Sequence, residues 1–373
     1  MAKFALATSW DNKLVDIVAT LNQEHQKSRI IEFYGSFPRS LTGSARHPDK
    51  LPNITEKEFE EHISYARSKG IEFNYIMNAP ELDGTEKNES WLKSLRTFLV
   101  YLHNAGVEKL TITHPFLIEL VRNEFPDFGV VVSVIAGVNT VSEAQYYDRM
   151  GVERIVADFY TINRNFERLA AIVNQIDCKV ELIVNSPCLA YCPDRQAHYA
   201  FVGRSSRENQ TKETNHEVFL PKCGMKRLLN PLELIKSHFI RPEDIKEYEK
   251  IGIDVFKLVG RTFPTEFLAH SASAYLNGYY EGDLLDIIQQ RLIKKSLSAI
   301  IDNIDQYSFP ISIDNQKLTE INFIENIKKL RGKELEDYYR SILKDVVKGF
   351  DHPDVKKLQE LCKNLSKTDG GRI

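Results

Sequence analysis

The 373-residue sequence lacks long apolar runs, and none of its segments approaches the roughly 18 consecutive apolar residues that a membrane-spanning helix requires. Its first ten residues, MAKFALATSW, lack the hydrophobic region of a secretory signal and are typical of a β-strand. We therefore expect a cytoplasmic protein without a membrane partner.

An excess of charge of one sign is also lacking. The chain has 49 lysines and arginines against 52 aspartates and glutamates, which gives a formal net charge of −3. This balance excludes a basic field over the whole protein, such as many nucleic-acid-binding proteins have, although it does not exclude a local patch. Residues 193–238 contain eight basic and five acidic residues, and this surplus is too small to indicate RNA binding.

Several motifs of common enzymes are missing. The nucleotide-binding patterns GxGxxG and GxxxxGK[ST] do not occur, and neither do the HExxH pattern of zinc peptidases or the GxSxG pattern of serine hydrolases. A catalytic nucleophile formed by a cysteine and a histidine is not indicated either, unless the histidine is His198. These absences weaken the nucleotide-binding and the hydrolytic interpretations.

Cysteine is scarce, and an odd number of five argues against a secreted disulfide framework. Cys188, Cys192 and Cys223 nevertheless fall within 36 residues, whereas Cys178 and Cys362 stand apart. Thiolates are soft ligands that select zinc, copper(I) or iron–sulfur centres. The spacing of the first two allows one tight loop or helical turn to bring both to one metal centre, but no second matching pair follows, so a zinc ribbon is not indicated.

The most regular feature is an alternation of strand and helix patterns over the first 260 residues. Glycine-containing turns such as SKGIEF (68–73) and KIGIDVF (250–256) recur between a helix and the next strand. The pattern predicts an α/β fold, namely a (β/α)8 TIM-type barrel, with a doubly wound open sheet as the alternative. The predicted strands are 3–9, 30–35, 72–78, 108–113, 129–135, 153–158, 179–185 and 254–259.

We expect the barrel to occupy residues 1–278. About seventy residues separate the last two strand segments, and this predicts a cysteine-bearing insertion, 186–245, over the C-terminal face of the barrel. Residues 279–373 are predicted to form a helical C-terminal extension. Its helices are expected near 282–302, 333–347 and 353–366, with an irregular segment at 303–332 and a frayed tail from residue 367.

The active groups of such barrels come from the C-terminal ends of the strands and from the loops that follow them. Taken singly, a polar side chain at such an end is more often structural than catalytic. Asn185 stands out because strand seven leads from it directly into the cysteine segment. The polar strand-end residues are Glu32, Tyr34, Asn78, Thr113, His114, Ser133, Asp158, Tyr160, Asn185, Lys257 and Arg261.

Three cysteines at the active end of a barrel predict a metal centre held by Cys188, Cys192 and Cys223. The fourth ligand is open: His198, Cys362 or the substrate itself would complete the site. The alternative is that the cysteines are free thiols packed inside the insertion. Cys178 precedes strand seven, at the other end of the barrel, and is expected to be structural.

Strand eight places two cations, Lys257 and Arg261, close to the barrel mouth. Together they would hold a carboxylate or phosphate, and arginine does so through two parallel hydrogen bonds. In the alternative interpretation each cation pairs with an acid inside the barrel, Glu32 or Asp158.

The order of these motifs resembles that of the collagenase-like peptidases of unclassified catalytic type, peptidase family U32. The resemblance covers about residues 1–275, and its specific motifs lie between 181 and 261: Asn-x-x-Cys-x₃-Cys-Pro, a third cysteine, and IRPEDIKEYEKIGIDVFKLVGR. Some members are regarded as peptidases. Others resemble oxygen-independent hydroxylases of ubiquinone precursors, transfer RNA or ribosomal RNA, which implies a cysteine-bound [4Fe–4S] cluster and, for the RNA branches, prephenate as hydroxyl source.

By motif position, the resemblance implies that Cys188, Cys192 and Cys223 are the cluster ligands. Lys257, Gly260 and Arg261 match the family's Lys-Ile-Glu-Gly-Arg-like signature. Val259 replaces the acidic residue of that signature, so a role for its carboxylate is not inherited. The motif region also has three cysteines where cluster-binding relatives have four, and the run from Cys192 to His198 indicates a distinct subfamily.

Three functions follow from these observations. The leading hypothesis is an iron–sulfur-dependent, oxygen-independent hydroxylase or redox enzyme that acts on a small molecule or RNA and takes electrons from a donor protein. Its candidate catalytic residues are Lys257, Arg261, Asn185 and His198. The second is a peptidase in which zinc at the same cysteines activates water. The third is a zinc-stapled module that binds RNA or protein and is not an enzyme.

Overall fold

The computed structural model describes residues 1–186, 188–208, 218–288 and 292–368. At its centre, parallel strands close into a barrel in which each strand pairs with the next and the eighth pairs with the first. The predicted (β/α)8 barrel is therefore confirmed. Its strands are β1 (Ala2–Ala7), β2 (Ser28–Gly35), β3 (Glu72–Met77), β4 (Lys109–Ile112), β5 (Gly129–Val132), β6 (Arg154–Val156), β7 (Lys179–Ile183) and β8 (Val255–Leu258).

The strands are almost continuously apolar because helices cover the outside of the barrel and side chains fill its inside. In β1, Phe4 lies in register with Ile30 of β2 and with Phe256 of β8, and all three are fully buried. Hydrophobic runs of this kind locate strands well, and each predicted segment ends within about three residues of the observed strand.

Helices surround the barrel and begin with the signals that the sequence shows. In the second helix the Thr55 hydroxyl accepts from the Glu58 backbone N–H, and the Glu58 carboxylate accepts from the Thr55 N–H, so the helix opens with a capping box. Gly70, with φ of 72°, ends that helix in the left-handed conformation that favours glycine. These helices are α1 (Asn12–Glu24), α2 (Glu56–Ser68), α3 (Glu89–Asn104), α4 (Pro115–Glu124), α5 (Val141–Asp148) and α6 (Phe166–Val173).

The long connection between β7 and β8 is mostly helical. One of its helices packs against the loop after β2, where the Ser206 hydroxyl donates to the Ser44 carbonyl and accepts from the Ser44 N–H. Residues 187 and 209–217 of the predicted insertion lie outside the described residues. The helices are α7 (Arg195–Ser205), α8 (Phe219–Leu229), α9 (Leu232–Lys236) and α10 (Ile245–Glu249), and α11 (Thr265–Asn277) follows β8.

Inside the barrel, oppositely charged side chains form a chain of ion pairs. The Glu32 carboxylate accepts from Arg154 at 2.7 Å and lies 3.4 Å from the Lys109 ammonium. Arg154 also pairs with Glu181 at 2.9 Å, and Glu181 pairs with Lys257 at 3.3 Å. Burial alone would raise the pKa of Glu32, but Arg154 and Lys109 outweigh it and lower the pKa to about 2. The barrel core is therefore held by neutralised charges as well as by apolar packing.

The C-terminal extension packs against the insertion rather than forming a separate body. Its first helix and its last helix both contact α8, and a third contacts α9. The short strands β9 (Ser312–Ile313) and β10 (Val347–Lys348) pair antiparallel. The helices are α12 (Leu292–Leu297), α13 (Asn315–Glu320), α14 (Phe323–Lys329), α15 (Gly332–Val346) and α16 (Pro353–Thr368).

Two expectations for the extension were wrong. The single helix predicted at 282–302 is broken, because Asp283 caps a short 3₁₀ turn and also accepts from the Ile313 N–H, before α12 begins. The segment predicted to be irregular, 303–332, contains α13 and α14, which at six and seven residues are too short to show a helical period. The expected tail beyond residue 368 lies outside the described residues. Of the helices described, none is both long and apolar enough to span a membrane.

Candidate functional site

A pocket opens where the strands end at the C-terminal face of the barrel. Its free space is about 110 Å³, somewhat less than the roughly 150 Å³ of a cavity that admits benzene. The pocket therefore suits a small organic molecule or a single group of a larger one. Eight of the residues singled out in the sequence line it, namely Tyr34, Asn78, Ser133, Tyr160, Cys188, His198, Lys257 and Arg261.

Two of the three clustered cysteines are in direct contact. The thiols of Cys192, in the loop before α7, and Cys223, on α8, share a hydrogen bond. That bond and the backbone N–H of Asp194 outweigh burial and lower the pKa of Cys192 to about 6. The same bond, together with burial, raises the pKa of Cys223. The two thiols therefore influence each other strongly, and their interaction favours the thiolate form of Cys192.

The third cysteine lies on the pocket wall. The Tyr160 hydroxyl donates to the Cys188 sulfur at 3.4 Å, and Cys188 acts electrostatically on Cys223. Tyr191, between the two loop cysteines, has a φ of 52°, a left-handed conformation that is unusual for a non-glycine residue and turns the loop back on itself. The fold thus brings Cys188, Cys192 and Cys223 to the same end of the barrel.

The remaining cysteines do not join them. Cys178, before β7, receives no bond from the cluster, and its backbone N–H donates to Asp148; burial and Asp148 raise its pKa to about 12. Cys362 is fully buried on α16, and burial raises its pKa to about 11. Helix α16 contacts α8, which carries Cys223, but no hydrogen bond of the described residues joins Cys362 to the three clustered thiols, so its contacts give no support for a role as the fourth ligand.

The geometry tests which kind of metal centre the thiols suit. In the described part of the chain, no three histidine, cysteine, aspartate or glutamate side chains converge as they would around one metal ion. A single zinc ion draws each thiolate to about 2.3 Å from itself, whereas an iron–sulfur cluster is wider because each iron takes its own thiolate. The described residues therefore show no group that would hold a single metal ion.

Arg261 is the most unusual charge in the pocket. Its guanidinium is 7% exposed and donates to the hydroxyls of Ser36 at 2.9 Å and Ser44 at 3.4 Å. Burial, and then the nearby Arg46, lower the pKa of Arg261 to about 9. Within the described ranges no carboxylate pairs with it. Arg46 and Arg261 thus line one pocket, and the ion pairs of the described residues include no carboxylate partner for either of them.

The expected alternative, in which Arg261 pairs with Glu32 or Asp158, does not hold. Glu32 is bound by Arg154 inside the barrel, and Asp158 accepts two 2.6 Å hydrogen bonds from Arg195. Lys257 does pair with a barrel acid, but the partner is Glu181, at 3.3 Å, and its ammonium lies 4.1 Å from the centre of the Tyr34 ring. Lys257 is therefore already neutralised, which makes Arg261 the stronger anchor for an anion.

Two further predicted residues have different surroundings from those expected. Asn185 does not line the pocket; its amide donates to the Val259 carbonyl at 3.1 Å and accepts from the Val259 N–H at 2.7 Å, so it joins the ends of β7 and β8. His198 lies on α7 at the pocket wall, and its ring stacks on Phe219 with centroids 5.0 Å apart.

Sequence reasoning missed Arg46, Arg195 and Tyr199. Arg195 donates to the Asp158 carboxylate, and its guanidinium carbon lies 4.9 Å from the centre of the Tyr160 ring. These contacts attach α7 to the barrel. The Tyr199 and Tyr160 hydroxyls are 2.8 Å apart, so Tyr199 supports the phenol that bonds Cys188. Arg46 gave no strand-end signal because it lies eleven residues beyond β2, in a loop that only tertiary packing carries over the pocket.

Comparisons with known proteins agree with this architecture. The profile of peptidase family U32 matches residues 42–283. An uncharacterized protease of Methanocaldococcus jannaschii is 30% identical over 262 residues, which cover 70% of this chain and 76% of that protein.

Two weaker likenesses accompany it. The tRNA hydroxylation protein P of Escherichia coli is 26% identical over 132 residues, or 35% of this chain and 27% of that protein. Among solved structures, that of a U32 peptidase superposes with a TM-score of 0.53 at 19% identity, covering 70% of this chain and 93% of that one. At this identity the structural likeness shows the fold alone.

Proposed function

The chain belongs to peptidase family U32, and from that premise we propose that it is an iron–sulfur-dependent, oxygen-independent hydroxylase or redox enzyme. The observation that carries the proposal is that two arginines and a cysteine line the same pocket. Arg261 and Arg46 line it without an acidic partner in the described structure, and Cys188 lines it as well. A small anion bound to the arginines would therefore present its remaining atoms to the thiol centre.

The residues that would hold the cluster are Cys188, Cys192 and Cys223. When bound, such a cluster supplies one-electron transfer and an iron that can take an exogenous ligand where a fourth cysteine is missing. Any proton on Cys192 or Cys223 would leave on binding, since thiolates are the ligands. His198 and the substrate remain the candidates for the fourth position.

The chain's own residues would orient the substrate. Arg261, fixed by two serine hydroxyls, and Arg46 would bind a carboxylate or phosphate. Tyr160 donates to the Cys188 sulfur, and such hydrogen bonds orient and tune metal ligands. The loop after β2 and helix α7 both contribute residues to the pocket, and the hydrogen bonds between Ser44 and Ser206 join them.

Peptide hydrolysis is the alternative, because the Methanocaldococcus jannaschii relative is called a protease. A peptidase has to admit an extended chain, whereas this pocket has about 110 Å³ of free space. The tRNA hydroxylation protein P of Escherichia coli suggests an RNA substrate instead. In that case the arginine pocket would receive an anionic small co-substrate, and RNA would approach the rim of the barrel, with a donor protein as the source of electrons.

The test is purification without oxygen, followed by a visible spectrum and by iron, sulfide and zinc analysis. The proposal predicts a brown protein with broad absorption near ~400 nm and with iron and sulfide in similar amounts. A colourless protein with one zinc per chain would favour the peptidase or a zinc-stapled binding module. A protein that takes up neither metal, even after reconstitution with iron and sulfide, would show that the cysteines are free thiols.

A further inference from the structure

The C-terminal extension covers the helix that carries Cys223. Both α12 and α16 contact α8, and the Gln359 side chain on α16 donates to the Leu228 carbonyl at the end of α8 at 2.8 Å. The match to the U32 profile ends at residue 283. The helices that hold α8 in place therefore lie outside the segment by which the chain is recognised as a family member.

The closest contact between the two parts is next to the cysteine. A methyl group added at Gly224 would overlap the Ser296 hydroxyl and would lie 3.3 Å from both the Ile293 carbonyl oxygen and Leu297. The Ser296 hydroxyl is itself held, because it donates to the Ile293 carbonyl at 2.7 Å. Helix α8 and helix α12 thus touch at Gly224 with no space between them.

We propose that the C-terminal extension is a clamp that positions the Cys223 thiol against Cys192, and that the close contact at Gly224 is the point at which α12 sets the position of α8. Cys223 precedes Gly224 on a rigid helix, so a shift of α8 away from α12 moves the sulfur by a similar distance. A contact between two thiols does not survive such a shift, because hydrogen bonds weaken steeply with distance. The proposal concerns the thiol pair itself and holds whichever metal the pair binds.

The test uses the full-length, metal-free, reduced protein and phenylarsine oxide, whose arsenic binds two neighbouring thiols at once. Gly224→Ala should weaken arsenical binding by about a hundredfold, since loss of the second thiol removes the chelate advantage. Ser296→Ala alone should bind like the wild type. The double variant Gly224→Ala/Ser296→Ala should recover most of the affinity, because removing the hydroxyl makes room for the new methyl group.

Two controls separate the clamp from a general loss of stability. Gly151→Ala introduces backbone strain at a left-handed glycine, with φ of 72°, in the turn between α5 and β6, and it should leave arsenical binding unchanged. Cys192→Ser should abolish tight binding and so identify the pair that the probe reads. Iron content provides a second measurement, and we expect it to fall in Gly224→Ala and to recover in the double variant.

Three results would overturn the proposal: full arsenical affinity in Gly224→Ala, no rescue by Ser296→Ala, or a wild-type protein that does not bind the probe. Each is independent of the cluster, because the probe needs only two adjacent thiols. A protein that binds the arsenical as expected but takes up no iron would refute the proposed function, and it would not contradict the proposed role of the C-terminal extension.

Discussion

Arg261→Met is predicted to stabilise the ligand-free protein. Burial and Arg46 lower the pKa of Arg261 from its ordinary value to about 9, which corresponds to a cost of roughly 4–5 kcal/mol for keeping the charge in the folded state. Because the folded pKa lies below the unfolded one, this cost is fully present below about pH 9 and declines only as the pH rises above it. At pH 7 the Arg261→Met variant is therefore free of the whole cost of burying this charge.

Part of that gain is offset. The hydrogen bonds to Ser36 and Ser44 are lost, so we expect a net stabilisation of about 2 kcal/mol, within the range seen when buried charges are replaced by apolar residues. The measurement is urea unfolding at pH 7, without ligand and with added phosphate at constant ionic strength. Phosphate should stabilise the wild type by occupying the arginine pair, and it should stabilise the variant much less.

Arg154→Met is the matched control, since Arg154 is also a buried arginine but binds Glu32 and Glu181. Removing it leaves each of these two buried carboxylates with a lysine as its remaining partner and takes away the charge that joins them, so it should cost about 3–5 kcal/mol. If Arg261→Met is destabilised as strongly as Arg154→Met, then Arg261 is a structural ion-pair partner and the anion site does not exist. If phosphate stabilises both proteins equally, the arginines do not bind it.

Three other predictions follow from the same contacts. Arg261→Lys should keep the fold and the iron but lose about 2–4 kcal/mol of transition-state stabilisation in turnover assays, because lysine replaces the charge of arginine and not its two parallel hydrogen bonds. Normal turnover would show that Arg261 does not hold the substrate. Asp158→Asn should lower the free energy of unfolding by about 3 kcal/mol in urea, because Arg195 loses its charged partner, and an unchanged midpoint would contradict this. Burial lowers the pKa of His62 to about 4, so below pH 6.5 the unfolded state binds a proton that the folded state does not. The free energy of unfolding should therefore fall by roughly 3 kcal/mol as the pH is lowered towards 4. His62→Gln should make this decline shallower, and an equally steep decline in the variant would contradict the prediction.

How much the sequence could predict depended on the range of the interactions. The barrel was predictable because each strand is locally apolar and each helix ends at a glycine such as Gly70, so the signals lie within a few residues. The pairing of Lys257 with Glu181 had a visible sign, an acid in the middle of an apolar strand, but the choice among several barrel acids required the closed geometry. Short helices such as α13 leave no period to detect.

The pocket could be predicted from the sequence in part, whereas the rest of its lining depends on contacts between distant parts of the chain. Cys188, Arg261 and Tyr160 stood at strand ends, where active groups of barrels are expected, and the structure places them on one pocket. Arg46 reaches that pocket because Ser44 bonds to Ser206, more than 160 residues away in the chain. No local pattern encodes such a contact, and so the position of Arg46 at the pocket could be found only from the structure.

The central claim is that the clustered thiols, and not the remaining cysteines, hold an iron–sulfur centre. The most direct test compares iron and acid-labile sulfide per chain in Cys192→Ser and Cys178→Ser, purified side by side without oxygen. Serine is similar in size but a much harder ligand, so Cys192→Ser should lose most of its iron and sulfide while Cys178→Ser retains the wild-type amounts. Full iron and sulfide in Cys192→Ser, or an equal loss in both variants, would contradict the account.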